Sequence, residues 1–155
     1  MSTFLGLQPV CGQTPPRSPA STTATDQPAS RQSLAAGPQA CGYVTAKHAA
    51  IGLMRSVARD YGPQGVRANA ICPGWVTTPM ADEEMQPLMA AQGINLEQAY
   101  QQVCRDVPLR RPASAQEIAL ACQFLCSPQA SIISGATLVA DGGASAVDVP
   151  TLAFA

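Results

Sequence analysis

The stretch Tyr43-Val-Thr-Ala-Lys47 opens a segment whose apolar residues recur at steps of three and four as far as Tyr61. This spacing predicts a helix over residues 43–61. Residues four apart lie one above the other on a helix face, so the Tyr43 phenol and the Lys47 ammonium are predicted neighbours. Lys47 is the only lysine in the chain. Because an ammonium beside a phenol makes the phenol a better acid, this pair is the first candidate for chemistry.

His48, the only histidine, directly follows the lysine. We interpret it as a helix-face residue rather than a catalyst. The apolar face of the helix extends beyond one stripe, since Ile51, Leu53 and Ala58 widen it. A helix that is apolar on more than one side packs against two partners, such as its own sheet and another subunit.

Strand and helix signals alternate after this helix. Residues 66–72 predict a short strand, which Pro73-Gly74 ends. Two helices are predicted next, over residues 79–91 and 95–106, and Pro87 is expected to kink or split the first. Asn95 is placed to cap the second helix.

The last third of the chain repeats the alternation. Ser114-Ala-Gln-Glu117 matches a capping box and predicts a helix to about residue 125. Residues 136–140 predict a strand, and Asp141-Gly142-Gly143 predicts its turn. A strand, crossover helix and strand in succession imply a parallel sheet and an α/β fold. Such a sheet has several strands and is covered on both faces.

Composition limits the function classes. The chain has 155 residues, a net charge of −1 and 46% hydrophobic residues. This balance does not favour nucleic acid or an anionic membrane surface as a partner. The chain contains no apolar run long enough to span a membrane and no recognisable signal peptide, so a cytoplasmic location is expected. The six cysteines are expected to be small buried thiols rather than disulfides or a zinc site, and no metal site is predicted.

Three segments are predicted. Residues 1–36 are rich in proline, serine and threonine, which predicts an irregular or disordered segment, because little apolar surface offsets the ordering entropy. In particular, residues 20–29 do not have the pattern of a central strand. Residues 37–147 are predicted to form the ordered part, and residues 148–155 a tail.

Four blocks of sequence in the right order resemble the C-terminal half of a short-chain dehydrogenase/reductase. The resemblance extends over residues 37–147 and implies a helix-rich, partial Rossmann-like three-layer α/β fold, the C-terminal portion of a doubly wound parallel sheet. The blocks are Tyr43-x-x-x-Lys47, then Arg67-Ala-Asn69-Ala-Ile-Cys-Pro73-Gly74-Trp-Val-Thr-Thr78, then Pro108-Leu-Arg-Arg-Pro112 with Glu117-Ile118, and finally Ser134-Gly135 leading to Asp141-Gly142-Gly143.

The resemblance implies an acid/base role for Tyr43. A tyrosine normally titrates near ~10, and lowering that pKa by roughly 3 units is worth about 4 kcal/mol of stabilisation of the phenolate. Lys47 would supply this stabilisation and would also bind the nicotinamide ribose hydroxyls, and Tyr43 is likewise a candidate contact of the cofactor. Ser30, thirteen residues before the tyrosine, matches the position of the serine that polarises the substrate oxygen, and Ser33 is a poorer match.

The resemblance also implies a cofactor loop and a substrate pocket. Pro73, Gly74, Val76 and Thr78 correspond to the loop that holds the nicotinamide carboxamide of NAD or NADP. Two neighbours of this loop are candidates for the substrate pocket, namely Trp75, for which packing is an equal alternative, and Met80. Asn69 corresponds to a structural asparagine.

The family's glycine-rich phosphate-binding turn and its first strands have no counterpart, so the cofactor-binding N-terminal half is expected to be missing. Two functions therefore stay open. One is an NAD(P)-dependent oxidoreductase that acts on a small alcohol or ketone, as a homo-oligomer. The other is a truncated, non-catalytic remnant or pseudo-enzyme that pairs with a full-length relative or with itself through the helix over residues 43–61. A third possibility is a shifted start or reading frame upstream of residue 37.

Overall fold

The computed structural model of the protein describes residues 22–24, 34–37 and 40–154. The elements follow the predicted order of helix, strand, two helices, helix and strand, with three additional short strands. The α-helices are α1 (Cys41–Tyr61), α2 (Pro79–Gln92), α3 (Leu96–Val103) and α4 (Ala115–Cys126), and short 3₁₀-helices cover Gly62–Gln64, Pro128–Ala130, Ala144–Ala146 and Val149–Phe154. The strands are β1 (Thr22–Ala24), β2 (Arg67–Pro73), β3 (Val76–Thr77), β4 (Ala113–Ser114) and β5 (Thr137–Ala140).

The larger sheet has the order β1-β2-β5. Thr22 of β1 lies opposite Arg67 of β2 in parallel register. On the other side of β2, the Ala70 amide donates to the Ala136 carbonyl at 2.9 Å. Every residue of β2 is buried, as expected for a central strand covered on both faces. The predicted parallel sheet is confirmed.

Strand β1 lies within the segment that we predicted to be irregular. Threonine at positions 22 and 23 is β-branched and suits a strand, but the surrounding prolines and serines hid this signal. The partner strand β2 supplies the hydrogen bonds that local composition could not predict. The remainder of the prediction for residues 1–36 lies outside the described residues, apart from a turn near residues 34–35.

Pro87 does not split the helix that contains it. Helix α2 runs unbroken from Pro79 to Gln92, so of the two predicted effects of Pro87, a kink or a split, the split is wrong. A proline ring conflicts with the carbonyl four residues earlier, which belongs to Glu83. Both residues are exposed, so water can bond to the displaced carbonyl.

The chain divides into two compact units. The first comprises residues up to Cys72 together with Ala119–Leu138, and the second comprises Pro73–Ile118 together with Val139–Ala155. In the first unit, Ile51 and Met54 on one face of α1 are the buried residues of the helix. They form an apolar core with three buried residues of β2, namely Ala68, Ala70 and Cys72.

A buried arginine and a buried asparagine join β2 to distant segments of the first unit. The Arg67 guanidinium donates to the carbonyls of Leu125 at 2.8 Å, Ile133 at 3.1 Å and Ser127 at 3.2 Å. Two of these carbonyls lie at or just beyond the C-terminal end of α4, where the helix dipole favours a cation. The Asn69 amide donates to the Ile133 carbonyl at 2.9 Å, which agrees with the expected structural role of Asn69.

The second unit has its own core between α2 and α3. Its buried residues are Ala81 and Met85 of α2 and Ala99 and Tyr100 of α3. The Tyr100 hydroxyl donates to Asp82 Oδ1 at 2.7 Å, which joins the two helices. The predicted capping box at the start of α3 is confirmed, with Asn95 as the N-cap. This unit therefore buries its apolar side chains within a helical pair.

Candidate active site

Helix α1 places Tyr43 and Lys47 side by side, as the spacing predicted. The Lys47 Nζ atom lies over the Tyr43 ring, 5.2 Å from its centroid. A cation at this distance is attracted to the face of the ring. The tyrosine is exposed and the lysine is half-buried. The phenol can therefore be reached by a ligand while the ammonium is partly withdrawn from water.

The partial burial of Lys47 has an electrostatic consequence. Desolvation lowers the pKa of its ammonium from the ordinary value of 10.5, because burial penalises the charged form. A partly desolvated cation interacts more strongly with a nearby negative charge than a fully hydrated one does. Lys47 is therefore well suited to stabilise an anion that forms beside it.

The histidine next to this pair has a local structural contact. The Nδ1–H group of His48 donates to the Val44 carbonyl one helical turn earlier, at 2.9 Å. The side chain is exposed on the surface of α1. This geometry agrees with a helix-face residue, as we predicted.

The two serine candidates cannot be placed. Ser30, predicted to polarise the substrate oxygen, lies outside the described residues, as does Ser33. Their proposed roles remain predictions.

The predicted cofactor residues share one loop, residues 73–78, at the end of β2. Pro73 is buried as the last residue of the strand. The Gly74 amide then donates to the Ala140 carbonyl at 3.2 Å. A β-carbon at position 74 would lie only 3.1 Å from both Cα and Cβ of Asp141. Glycine is therefore favoured here because two backbone segments pass close to each other.

The other end of the 73–78 loop is held by β4 and α2. Val76 and Thr77 form β3, which pairs in parallel with β4, a pairing that the sequence did not predict. Thr78 is the N-cap of α2, and its Oγ1 accepts a hydrogen bond from the Ala81 amide at 3.2 Å. A hydroxyl both donates and accepts, so the Thr78 proton can still be donated to a ligand.

The two tentative pocket residues differ in their surroundings. Trp75 packs against the α2–α3 core and also lines a cavity of about 170 Å³, and its role in a substrate pocket stays a prediction. Met80 is 71% exposed, whereas Met85 on the same helix is 2% exposed. Of the three methionines of α2, Met85 and Met89 contribute to the α2–α3 core and Met80 does not.

Asp141 is a residue near this loop whose importance the sequence analysis missed. Its buried carboxylate accepts hydrogen bonds from the Gly143 amide at 3.0 Å and the Ser145 amide at 2.7 Å. The Ser145 hydroxyl also donates to it, at 2.6 Å. Aspartate often accepts from amides a few residues later in the chain, so Asp141 followed by two glycines and Ser145 carried a usable signal.

An exposed ion pair occupies the start of α4. Two Arg111 nitrogens donate to the two Glu117 carboxylate oxygens at 2.8 and 2.7 Å. The Ser114 amide donates to the same carboxylate, which confirms the predicted capping box. Arg111 in the first place, and the Ser114 backbone in the second, lower the pKa of Glu117 to about 2. Arg111 Nη1 also donates to the Pro112 carbonyl, at 3.1 Å.

Within residues 22–24, 34–37 and 40–154, no cluster of three or more histidine, cysteine or acidic side chains is arranged to hold a metal ion. The five cysteines in the described part of the chain are free thiols, but the prediction that they are buried is wrong for Cys41 and Cys126, which are exposed. No helix among the described residues has the length and apolar character needed to cross a membrane.

Comparison with known proteins identifies the family. A family model described as enoyl-(acyl carrier protein) reductase matches residues 27–145. The chain belongs to the short-chain dehydrogenase/reductase family. RED2, a short-chain dehydrogenase of Pyricularia oryzae, is 40% identical over 114 residues, which are 74% of this chain and 38% of that protein. Protein MoaE of Klebsiella aerogenes is 87% identical over 127 residues, which are 82% of this chain and 49% of that protein.

Solved structures of this family have the same fold. The ligand-free aldohexose dehydrogenase of Thermoplasma acidophilum matches with a TM-score of 0.74 and 34% identity, over 84% of this chain and 49% of that one. An actinorhodin polyketide ketoreductase variant with NADPH matches with a TM-score of 0.70 and 25% identity, over 83% and 48%. A 4-hydroxyisoleucine dehydrogenase with NADH matches with a TM-score of 0.60 and 28% identity, over 83% and 47%. The predicted partial Rossmann-like α/β fold is confirmed, and the chain spans about half the length of these relatives.

Proposed function

We propose that this chain carries the proton-transfer and nicotinamide-binding residues of an NAD(P)-dependent oxidoreductase that interconverts a small alcohol and a ketone. The observation that supports this function most directly is the position of Lys47 Nζ over the Tyr43 ring in a member of this family. Because the chain spans about half the length of its relatives, activity is proposed for this chain together with whatever completes the site.

The proposed proton transfer follows from the α1 pair. During reduction of a ketone, the Tyr43 hydroxyl donates its proton to the carbonyl oxygen, and in oxidation the phenolate takes the proton back. The half-buried Lys47 ammonium stabilises the phenolate because opposite charges attract strongly where water is partly excluded. When bound, the reduced nicotinamide supplies the hydride that goes to the carbonyl carbon.

The 73–78 loop is the proposed site of the nicotinamide carboxamide. Gly74 lets the backbone of this loop lie directly against Asp141, and Thr78 retains a hydroxyl proton to donate to a ligand. Two structural neighbours hold NADPH and NADH, respectively, which supports a nicotinamide cofactor here without choosing between the two. Ser30 is proposed to donate a hydrogen bond to the substrate oxygen.

The test uses the nicotinamide half of the cofactor separately. Reduced nicotinamide mononucleotide, NADH and NADPH are titrated into the purified chain, with the fluorescence of Trp75, the only tryptophan, as the signal. If the described residues bind only the nicotinamide half, the mononucleotide and NADH bind with similar affinity. Lys47→Met is expected to weaken the binding of the mononucleotide and of NADH by about tenfold, because one charged hydrogen-bond donor is lost.

The rate of hydride transfer to a ketone, supplied at high concentration, then tests Tyr43 as the proton donor. Tyr43→Phe is expected to abolish reduction while leaving mononucleotide binding within about twofold, since the lost hydroxyl acts on the substrate rather than the cofactor. Tyr61→Phe is the matched control, because Tyr43 and Tyr61 lie on the same helix and are 48% and 49% exposed. Absence of binding of all three nucleotides up to millimolar concentration would refute the proposed function.

A second candidate function is non-catalytic association through α1. Leu53 on this helix is 46% exposed, and the Tyr43 and Tyr61 rings are exposed near the ends of the same helix. The proposed partner is a second copy of this chain or a longer relative. Leu53→Glu is expected to dissociate the assembly in sedimentation analysis, whereas Leu120→Glu, at a 53% exposed leucine of α4, leaves it intact. A monomeric chain with cooperative unfolding would contradict this candidate.

A further inference from the structure

Asp141 is one of the buried charged residues in the described part of the chain, and the proton transfer proposed above makes no use of it. Its carboxylate accepts hydrogen bonds from the Gly143 amide, the Ser145 amide and the Ser145 hydroxyl, at 3.0, 2.7 and 2.6 Å. Hydrogen bonds to a charged acceptor are stronger than neutral ones, so these contacts fix the backbone of residues 141–145 as a turn.

One side of the 141–145 turn lies against the 73–78 loop. The missing β-carbon of Gly74 would be 3.1 Å from Asp141 Cα and Cβ and 3.3 Å from the Asp141 carbonyl oxygen. The Gly74 amide also donates to Ala140, directly before the turn. The loop therefore rests on Asp141 with no side chain between the two backbones.

The opposite side of the turn is held by residues 107–109. Gly142 and Gly143 have φ values of 66° and 90°, in the region where glycine is favoured. A β-carbon on either would lie 2.9 Å from a side-chain carbon of Val107 or Pro108. The Leu109 amide donates to the Gly142 carbonyl at 3.1 Å. The turn is thus fixed on one side and supports the 73–78 loop on the other.

We propose that Asp141 is a positioning residue for the 73–78 loop, and through that loop for the nicotinamide carboxamide. Its carboxylate would not touch the ligand. By holding the 141–145 turn rigid, it would keep Gly74 and the backbone that follows in one conformation, so that the ligand does not have to order the loop on binding. The effect on the ligand rests on the function proposed above, whereas the effect on the loop does not.

The first measurement concerns the loop without any ligand. Asp141→Asn retains the size of the side chain but replaces one acceptor oxygen with a donor that faces amide protons. Amide hydrogen exchange of residues 74–78 is expected to accelerate about tenfold in this variant, the equivalent of one weakened charged hydrogen bond. Exchange in residues 51–54 of α1 is expected to stay within about twofold, because the change is local. Ser145→Ala, which removes one donor and no charge, gives a smaller change in the same place.

The second measurement is the affinity for reduced nicotinamide mononucleotide. Asp141→Asn is expected to weaken it by about tenfold. Asp148→Asn is the matched control, since it makes the same change at an exposed aspartate seven residues later and is expected to alter neither readout.

The outcomes separate the two proposals. Faster exchange confined to residues 74–78 in a chain that does not bind the mononucleotide would support Asp141 as the residue that positions the loop and refute the proposed function. Uniformly faster exchange over the whole chain would overturn the positioning role, because it would mark a general loss of stability. Unchanged exchange at residues 74–78, or an equal effect of Asp148→Asn, would overturn it as well.

Discussion

Arg67 and Asp141 are both buried charged residues, 6% and 9% exposed, but they satisfy their charges in opposite ways. Arg67 donates to carbonyls that lie 58 to 66 residues away in the sequence. Asp141 accepts from groups that lie only two to four residues away. The contacts of Arg67 therefore depend on the assembled first unit, whereas these contacts of Asp141 form within a single turn of the second.

This difference predicts different consequences of substitution. A long-range network is lost only when distant segments separate, so its energy contributes to global stability. A local network fixes the conformation of a short segment, so its loss changes that segment more than the whole. We call the number of residues between the two partners of a contact its reach. The effect of a substitution on the free energy of unfolding should therefore increase with the reach and the burial of the contact that it removes.

The largest expected effect is that of Arg67→Met. Methionine fills similar space but cannot donate to the carbonyls of Leu125, Ser127 and Ile133, of which Ile133 keeps its hydrogen bond from Asn69. We expect the free energy of unfolding to fall by about 3 kcal/mol or more, because several partly buried acceptors lose a charged partner together. Urea denaturation followed by circular dichroism measures this loss.

The control for this change is Arg55→Met, at an exposed arginine of α1. It removes the same charge and should leave the unfolding free energy within about 0.5 kcal/mol. Equal losses in the two variants would show that net charge, rather than the buried contacts, sets the stability of the first unit.

The fold was predicted well where periodicity is strong. The 3.6-residue pattern located α1, and capping residues located the starts of α3 and α4, because these signals are local. Strands β1, β3 and β4 were missed, since each has two or three residues and gains its hydrogen bonds from a distant partner. The backbone conformation of Arg110 was also not predicted, because its φ of 55° is one that residues other than glycine rarely adopt.

The candidate site was predicted in part. The neighbouring positions of Tyr43 and Lys47 follow from helix geometry alone, and the sequence was sufficient for them. The partial burial of Lys47 was not predictable, because it depends on what packs around α1. The support that Asp141 gives to Gly74 was not predictable either, since it requires the ends of two separate strands to meet.

The second prediction concerns a contact of intermediate reach, between Tyr100 and Asp82, which are 18 residues apart. Tyr100→Phe should cost about 1.5 kcal/mol of unfolding free energy, because a charged acceptor loses its buried donor. Burial first, and then the hydrogen bond and charge of Asp82, raise the pKa of Tyr100 from 10.0 to about 12. The folded state therefore holds this proton more tightly, and the stabilisation is complete below pH 10 and is lost as the pH rises through 12.

Two measurements check the direction of this pH dependence. The absorbance of the phenolates in an alkaline titration should contain a component with a midpoint of about 12, and Tyr100→Phe should remove it. The stability difference between the original chain and this variant should shrink as the pH rises from 10 to 12. Tyr61→Phe, at an exposed phenol, is the control. Retention of the late component in Tyr100→Phe would contradict the assignment.

The smallest effect on stability is expected at the exposed pair of Arg111 and Glu117, which are six residues apart. Exposed ion pairs contribute little to stability, so the sensitive readout is titration of the Glu117 carboxyl group by NMR. Its pKa of about 2 should rise part of the way back to 4.5 in Arg111→Met, because the Ser114 amide still donates to it. Whatever stability Glu117 adds is present above pH 4.5 and is lost as the pH falls through 2.

Arg110→Met is the control for this last change, since it removes the neighbouring charge and leaves the pair intact. An unchanged Glu117 midpoint in Arg111→Met would contradict the assigned cause of the low pKa. A loss of unfolding free energy as large as that of Arg67→Met would contradict the ranking itself. Arg111 binds its carboxylate in a bidentate geometry that is at least as good as the contacts of Arg67. Comparing Arg111→Met with Arg67→Met therefore separates the geometry of a contact from its burial and from the sequence separation of its partners. We expect burial and sequence separation to have the larger effect on the free energy of unfolding.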